Sequence, residues 1–402
     1  MRATIEAVAR DSYGRLIAYL AARTRDVAGA EDALGDALLA ALVTWPRDGM
    51  PQKPEAWLLA AARRRLIDRA RHERVRAESM PTLRLITDDA SGMVVPDRFP
   101  DERLKLLFVC AHPAIDPALH TPLMLQSVLG LDAAHIAQAF LVSPTAMGQR
   151  LVRAKAKIRD AGIAFEIPEE RELPQRLDAV LQAIYAAYGS GWEDAAGADP
   201  RRRGLADEAI GLARLLAQHM VNEPEARGLL ALMLHCEARR AARRTSDGRY
   251  IPLSEQDVRR WSLPMIAEAE RELAAAANQA RPGRFQLEAA IQSVHAERAH
   301  TGRTDWRAIA SFYQSLVRLA PTLGARVGHA AAAAEVNGPE AGLALVNEIE
   351  PAVVATYQPY WAVRAHLLKK LGDEGKASEA FDRAIGLSED DAVRQFLLER
   401  RV

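Results

Sequence analysis

Two stretches of this chain carry residues whose types and spacing suit chemistry with a polyanion. The first is AWLLAAARRRLIDRARHERVR (56–76), with Arg63, Arg64, Arg65, Arg69, Arg71, Arg74 and Arg76 against Asp68 and Glu73. Seven cations opposing two anions on one helix-length segment suit a phosphate backbone. Trp57 stands at its start, and an indole there can stack on an exposed base. The second is GLDAAHIAQAFLVSPTAMGQRLVRAKAKIRDAG (130–162). Here Met147, Leu151, Ala154 and Ile158 recur at four, three and four residues, the period of one buried helix face. Thr145, Gln149, Arg150, Arg153 and Lys157 fall outside that stripe. Glutamine and arginine make bidentate contacts with adenine and guanine edges, and the other cations neutralise phosphates. This is binding chemistry, with no nucleophile and no acid–base pair in it.

The elements that must position these residues are legible too. Asp132 can cap a short helix with a buried face of Ile136, Ala137 and Phe140. The run LVSP then makes a tight turn, with Ser143 as N-cap and Pro144 as the first residue of a second helix. Two helices, a short turn and a polar-basic face on the second form a helix-turn-helix. Ahead of the arginine segment, AGAEDALGDALLAALVTW (28–45) predicts an amphipathic helix with Glu31, Asp32 and Asp36 near its start. Between them WPRDGMPQKPEAW (45–57) interrupts the pattern, and a new helix begins near Pro54.

At 402 residues the chain predicts two or three domains. Hydrophobic residues make up 49%, alanine is frequent throughout, and the composition favours an all-α fold. The first domain spans residues 1–76. Residues 77–100 lose periodicity and collect Pro, Ser, Gly and Asp, as a linker does, and helical periodicity returns over 101–162. After a short joint with Pro168 and Pro174, residues 174–402 predict a long helical tract, with exposed loops at 189–204 and 243–257. Within it Trp361, Ala365, Leu368, Gly372, Ala377, Phe381, Ala384 and Leu387 fall where a tetratricopeptide repeat places its packing residues. The stretch 330–350 reads as a degraded neighbour, so a helical-repeat (TPR-like) domain is expected.

The zero net charge hides a split: residues 1–160 carry +4 and the remainder −4, so the cations concentrate where the nucleic-acid signals are. Two cysteines, Cys110 and Cys236, are too few for a disulfide framework and indicate a reducing compartment. The amphipathic start is not a signal peptide, and no apolar tract approaches the roughly 20 residues of a membrane span. The expected location is cytoplasmic. Cys110 and His112, with His120 and His135 nearby, supply only one short-spaced pair where structural zinc needs four ligands. No P-loop, dinucleotide fingerprint or nucleophile elbow occurs. No metal, no cofactor and no enzymatic activity are expected.

The order AEDALGDALLAAL, WLLAAARRRLIDRARH, spacer, HIAQAFLVSPTAMGQRLVRAKAKI resembles the sigma-70 family, and within it the extracytoplasmic-function group. The chain is similar to the subgroup with a long C-terminal tetratricopeptide-like extension. The resemblance implies a sigma region 2 helical bundle, a sigma region 4 helix-turn-helix and partners in RNA polymerase core and promoter DNA. It implies that Glu31, Asp32 and Asp36 lie on the helix docking on polymerase. Trp57, Arg63, Arg64, Arg65, Arg69 and Arg71 would then face the −10 element. Thr145, Gln149, Arg150, Arg153 and Lys157 would face the −35 element. The run YAAYGSGW (185–192) departs from that subgroup's pattern. An intramolecular contact between the extension and region 4 is expected, with the extension regulating initiation. A helix-turn-helix regulator with a helical sensor domain would leave the 28–45 helix without a use. A helical-repeat scaffold would leave both basic faces without one.

Overall fold

The computed structural model describes residues 2–76, 101–140, 142–193 and 204–401. The linker expected at 77–100 lies outside these residues, as do residues 194–203 of the first expected loop. The described fold is all-α, and its only β pairing is one isolated bridge between Arg244 and Tyr250. The chain divides into two compact units, Met1–Gly191 with Arg201–Leu212, and Trp192–Pro200 with Ala213–Val402.

The first unit opens with α1 (Arg2–Thr24), α2 (Val27–Asp48) and α3 (Pro54–Arg76). Their shared core is Leu16, Ile17, Tyr19 and Leu20 from α1, Leu34, Ala37, Ala41 and Trp45 from α2, and Leu58, Leu59 and Ala62 from α3. The break expected at Trp45 comes three residues later, since α2 runs through Pro46 to Asp48. Proline costs its own N–H bond, but the buried Trp45 holds this turn, and the helix stops at Gly49 with φ +88°. Pro54 starts α3 where a missing N–H costs nothing.

The unit continues with α4 (Arg103–Cys110), α5 (Pro117–Ser127), α6 (Ala133–Ala139), α7 (Pro144–Asp160), α8 (Leu173–Glu193) and the first half of α9 (Leu205–His219). Two close approaches need glycine. A methyl on Gly14 of α1 would lie 2.0 Å from the Val128 carbonyl oxygen, just beyond α5. A methyl on Gly191 would lie 2.6 Å from the Ala206 nitrogen, which accounts for the glycine where α8 meets α9. The loop expected from residue 189 starts later than the composition suggested, because α8 continues to Glu193.

In the second unit α10 (Pro224–Glu237) is buried along nearly its whole length against α11 (Leu263–Ala277) and α12 (Arg284–Ala296). Residues 243–257 form the expected irregular segment, with the Arg244–Tyr250 bridge and a short 3-10 turn at Leu253–Glu255. Beyond α13 (Arg298–Thr301) come α14 (Trp306–Leu319), α15 (Leu323–Asn337), α16 (Pro339–Asn347) and α17 (Pro351–Val354). The chain ends with α18 (Gln358–Lys370), α19 (Glu374–Gly386) and α20 (Asp391–Arg401). Ala365 and Leu368 of α18 pack on Ala377, Ala380, Phe381 and Ala384 of α19, so the small residues picked out by spacing are where the pair makes contact. The turn between them passes through Gly372 at φ +78°.

Burial sets the acid response of the second unit. His235 on α10 is fully enclosed, and neither ring nitrogen makes a hydrogen bond among the described residues. Glu270 Oε1 comes within 3.3 Å of Nε2 without hydrogen-bond geometry, and takes a hydrogen bond from the Ser293 hydroxyl at 2.7 Å. Burial, then the charge of Arg239, pushes the His235 pKa down to about 3, and burial likewise pushes His295 down to about 4. The unfolded chain therefore takes up protons near pH 6.5 that the folded chain refuses. Stability of this unit is fully present above that pH and falls as the pH drops from about 6.5 toward 4. His235→Leu should flatten the fall, read from the urea midpoint at pH 7 and pH 5.

The two kinds of helical glycine give opposite expectations. Gly14→Ala forces a shift at Val128 and should destabilise by about 1–3 kcal/mol. Gly35→Ala, with open space around the added methyl, should stabilise α2 by roughly 0.5–1 kcal/mol. Denaturant midpoints of the two variants against the parent check both signs.

Candidate nucleic-acid interface

The helix-turn-helix is built by its caps. Asp132 Oδ1 accepts from the Ala134 and His135 amides at 3.1 and 2.9 Å, which starts α6. The Ser143 hydroxyl accepts from the Ala146 amide at 3.2 Å, and Pro144 fills the first position of α7. Met147, Leu151, Ala154 and Ile158 are all buried, which aims the other side of α7 outward. Thr145, Gln149, Arg150, Arg153 and Lys157 are exposed on it, and Arg153 Nε donates to the Gln149 carbonyl at 3.3 Å. Phe140 is not part of the buried face of α6. It caps the helix at the rim of the turn and is 39% exposed. Val152, outside the expected set, is 67% exposed among the polar residues of α7. Its signal was available, since it lies seven residues beyond Thr145 and three beyond Gln149.

On α2 and α3 the acidic and basic residues meet one another. Arg69 donates to Asp32 at 3.1 Å, and Arg65 lies 4.0 Å from Asp36. All four side chains are exposed, and such pairs are worth no more than about 1 kcal/mol, so a partner can take over either side. Arg64 and Arg71 are exposed as well, while Arg63 is half-buried. Trp57 is half-buried too, edge-on to the buried Trp45 at 5.5 Å between ring centres. Farther along α2, Leu39 and Val43 are 64% and 63% exposed, with Leu42 beside them. That apolar patch beyond the two aspartates was not anticipated.

Glu31 behaves differently from its two acidic neighbours. Its carboxylate turns inward, accepting from the Ser127 hydroxyl at 3.0 Å and pairing with the Lys155 ammonium. Lys155 sits on α7 between Ala154 and Ile158, with its side chain only 6% exposed. The α2 helix is thereby joined to α7 and to the end of α5 by a buried ion pair. Around it, burial raises the Tyr13 phenol and the Cys110 thiol well above their ordinary pKa values, and the Glu31 charge adds to both. Nothing in the one-dimensional pattern marked Lys155, because it stands in a run of cations at alternate positions.

The start of α8 is tied to the same unit. Arg176 is buried, donates through Nη2 to the Phe108 carbonyl at 2.5 Å and pairs with Glu172 at 3.1 Å. Arg103 at the start of α4 pairs with Asp101 at 2.6 Å and also with Glu208 on α9. The histidines flagged near Cys110 each have a local role. His112 Nδ1 accepts from the Ala114 amide, His120 contacts the Ile115 carbonyl, and His135 contacts Asp132. Among the described residues no group of three or more His, Cys, Asp or Glu side chains could hold a metal ion, and no helix is long and apolar enough to cross a membrane.

The site is thus a capped helix-turn-helix packed on a three-helix bundle whose third helix is basic. Residues 9–76 match sigma-70 region 2. Residues 176–277 match a family of unknown function, DUF6596. The chain is 39% identical over 381 residues to an uncharacterized protein of Rhizobium meliloti (strain 1021), covering 93% of this chain and 89% of that one, and the two belong to one family. No solved structure matches.

The buried pair makes a graded prediction. Glu31→Gln leaves the Lys155 charge enclosed without its counter-charge and should cost about 3–5 kcal/mol. Replacing both partners, Glu31→Leu with Lys155→Met, should recover most of that loss, as read from urea denaturation of the two variants and the parent.

Proposed function

We propose that the protein is an alternative sigma factor of the extracytoplasmic-function group, directing RNA polymerase core to its promoters and opening the DNA. The observation that carries this reading is the sigma-70 region 2 match over residues 9–76, followed by a capped helix-turn-helix with a polar-basic outer face. In this reading α2 docks on core through Asp32, Asp36 and the exposed Leu39, Leu42 and Val43. An apolar patch rimmed by acids is what a stable protein interface needs. The α3 arginines track the backbone near the −10 element, Trp57 stacks on an extruded base, and α7 enters the major groove at the −35 element. Catalysis belongs to polymerase, and this chain supplies address and melting.

The C-terminal helical domain, tetratricopeptide-like in its α18–α19 pair, regulates initiation in cis, and we assign it an activating role. The Arg176 bond to the Phe108 carbonyl and the Arg103–Glu208 pair support this reading only in that they tie α8 and the first half of α9, which lead into the C-terminal helices, to α4 within the first unit. Reach supports a role for opening as well. The −10 and −35 elements are roughly 80 Å apart along B-DNA at about 3.4 Å per base pair. With α2 and α7 joined through Glu31 and Lys155, engaging both elements at once requires that contact to part.

Run-off transcription with purified core on genomic fragments tests the function, and the expected outcome is initiation at a defined set of promoters that core alone does not use. Leu39→Asp with Val43→Asp should weaken co-purification with core at least tenfold while leaving the circular dichroism unchanged. Unaltered core binding by this variant would show that α2 is not the docking face.

A further inference from the structure

Along the outer side of α7 runs a single line of side chains opposite the buried stripe: Thr145, Gln149, Val152 and Ala156, spaced four, three and four residues. Thr145, Gln149 and Val152 are exposed, and Val152 at 67% is the one large hydrophobic so exposed among the described residues of this helix. Scattered exposed valines are ordinary. This one occupies the middle of the line a helix-turn-helix turns toward bases, where a β-branched side chain also lowers helix propensity relative to the arginines and lysines around it. The flanking cations, Arg150, Arg153 and Lys157, lie to the side of that line.

The DNA major groove offers one apolar feature on a base edge, the C5 methyl of thymine, beside the donors and acceptors that glutamine and arginine read. We infer that Val152 reads a thymine methyl in the −35 element and thereby fixes a base that the polar residues of α7 leave unspecified. The inference rests on the proposed function of α7 and extends it to a particular base. Gln149 and Val152 lie about 4.5 Å apart along the helix axis, close to one base-pair step, so the thymine falls within one or two pairs of the base read by Gln149. An adenine is the natural choice for Gln149, because its amide can pair with the adenine N6 and N7 groups.

The test uses the full-length protein with polymerase core. A randomised −35 library first gives the preferred sequence. Each thymine of that sequence is then replaced singly by deoxyuridine, which removes the methyl and leaves Watson–Crick pairing intact. Wild type should lose roughly fourfold in binding at one such position, the effect of one methyl-sized group leaving an apolar contact. Val152→Ala, which keeps the helix, should bind the thymine promoter roughly fourfold less tightly and show no further loss with deoxyuridine at that position. A selected −35 sequence with no deoxyuridine penalty, or a penalty that persists in Val152→Ala, would overturn the inference and leave the sigma-factor reading standing. If no −35 sequence is selected at all, the reading of α7 fails and the inference falls with it.

Discussion

The first unit is organised around a charge that cannot be left alone. Lys155 is enclosed on the inner side of α7, and an ammonium there is tolerable only with a counter-charge and hydrogen bonds in reach. Glu31 supplies both, with Ser127 occupying its other oxygen. The consequence is geometric. A helix with polar and basic residues exposed on one side is fastened by its other side to a helix of the N-terminal bundle. Gly14 lets α1 approach the Val128 carbonyl at the same seam, and Tyr13 packs against Gly130. A buried ion pair contributes little net stability compared with apolar packing, but it is intolerant of loss of one partner. That makes it suited to specifying one arrangement of the two elements.

The two surfaces that face outward are governed by the opposite physics. Asp32, Asp36, Arg65 and Arg69 pair in solvent, where water screens them and little is lost when they separate. Such residues hold their helices together loosely and can exchange partners at little cost. The exposed Leu39 and Val43 are different, since their apolar surface gains only when something covers it. On α7 the same division recurs, with cations on the flanks and an apolar residue on the central line.

In the second unit the layer between α18 and α19 is made mostly of small residues. Alanines at 365, 377, 380 and 384 let α18 and α19 approach closely, and the close approach excludes water from a thin layer. Larger side chains, Leu368, Phe381 and Leu397, complete this layer and are buried with the alanines. The enclosed His235 and the partly buried His295 both have their pKa values lowered by burial, which links the unit's stability to mildly acidic pH.

Much of this was settled by local sequence. Asp132, Ser143 and Pro144 each act within three residues of their own position, so the caps of the helix-turn-helix and the stripe of Met147, Leu151, Ala154 and Ile158 could be read in one dimension. The all-α fold and the start of α3 at Pro54 follow from the same short-range rules. The end of α2 was misplaced because Pro46 is tolerated when Trp45 anchors the turn from inside the bundle. Phe140 was misassigned because periodicity cannot tell a buried face from a rim. The roles of Glu31 and Lys155 were beyond the sequence altogether. They are 124 residues apart, each has like charges near it along the chain, and only folding withdraws them from most of the water and sets them against each other. Propensity and capping act through neighbours, whereas desolvation acts through whatever the tertiary structure brings near.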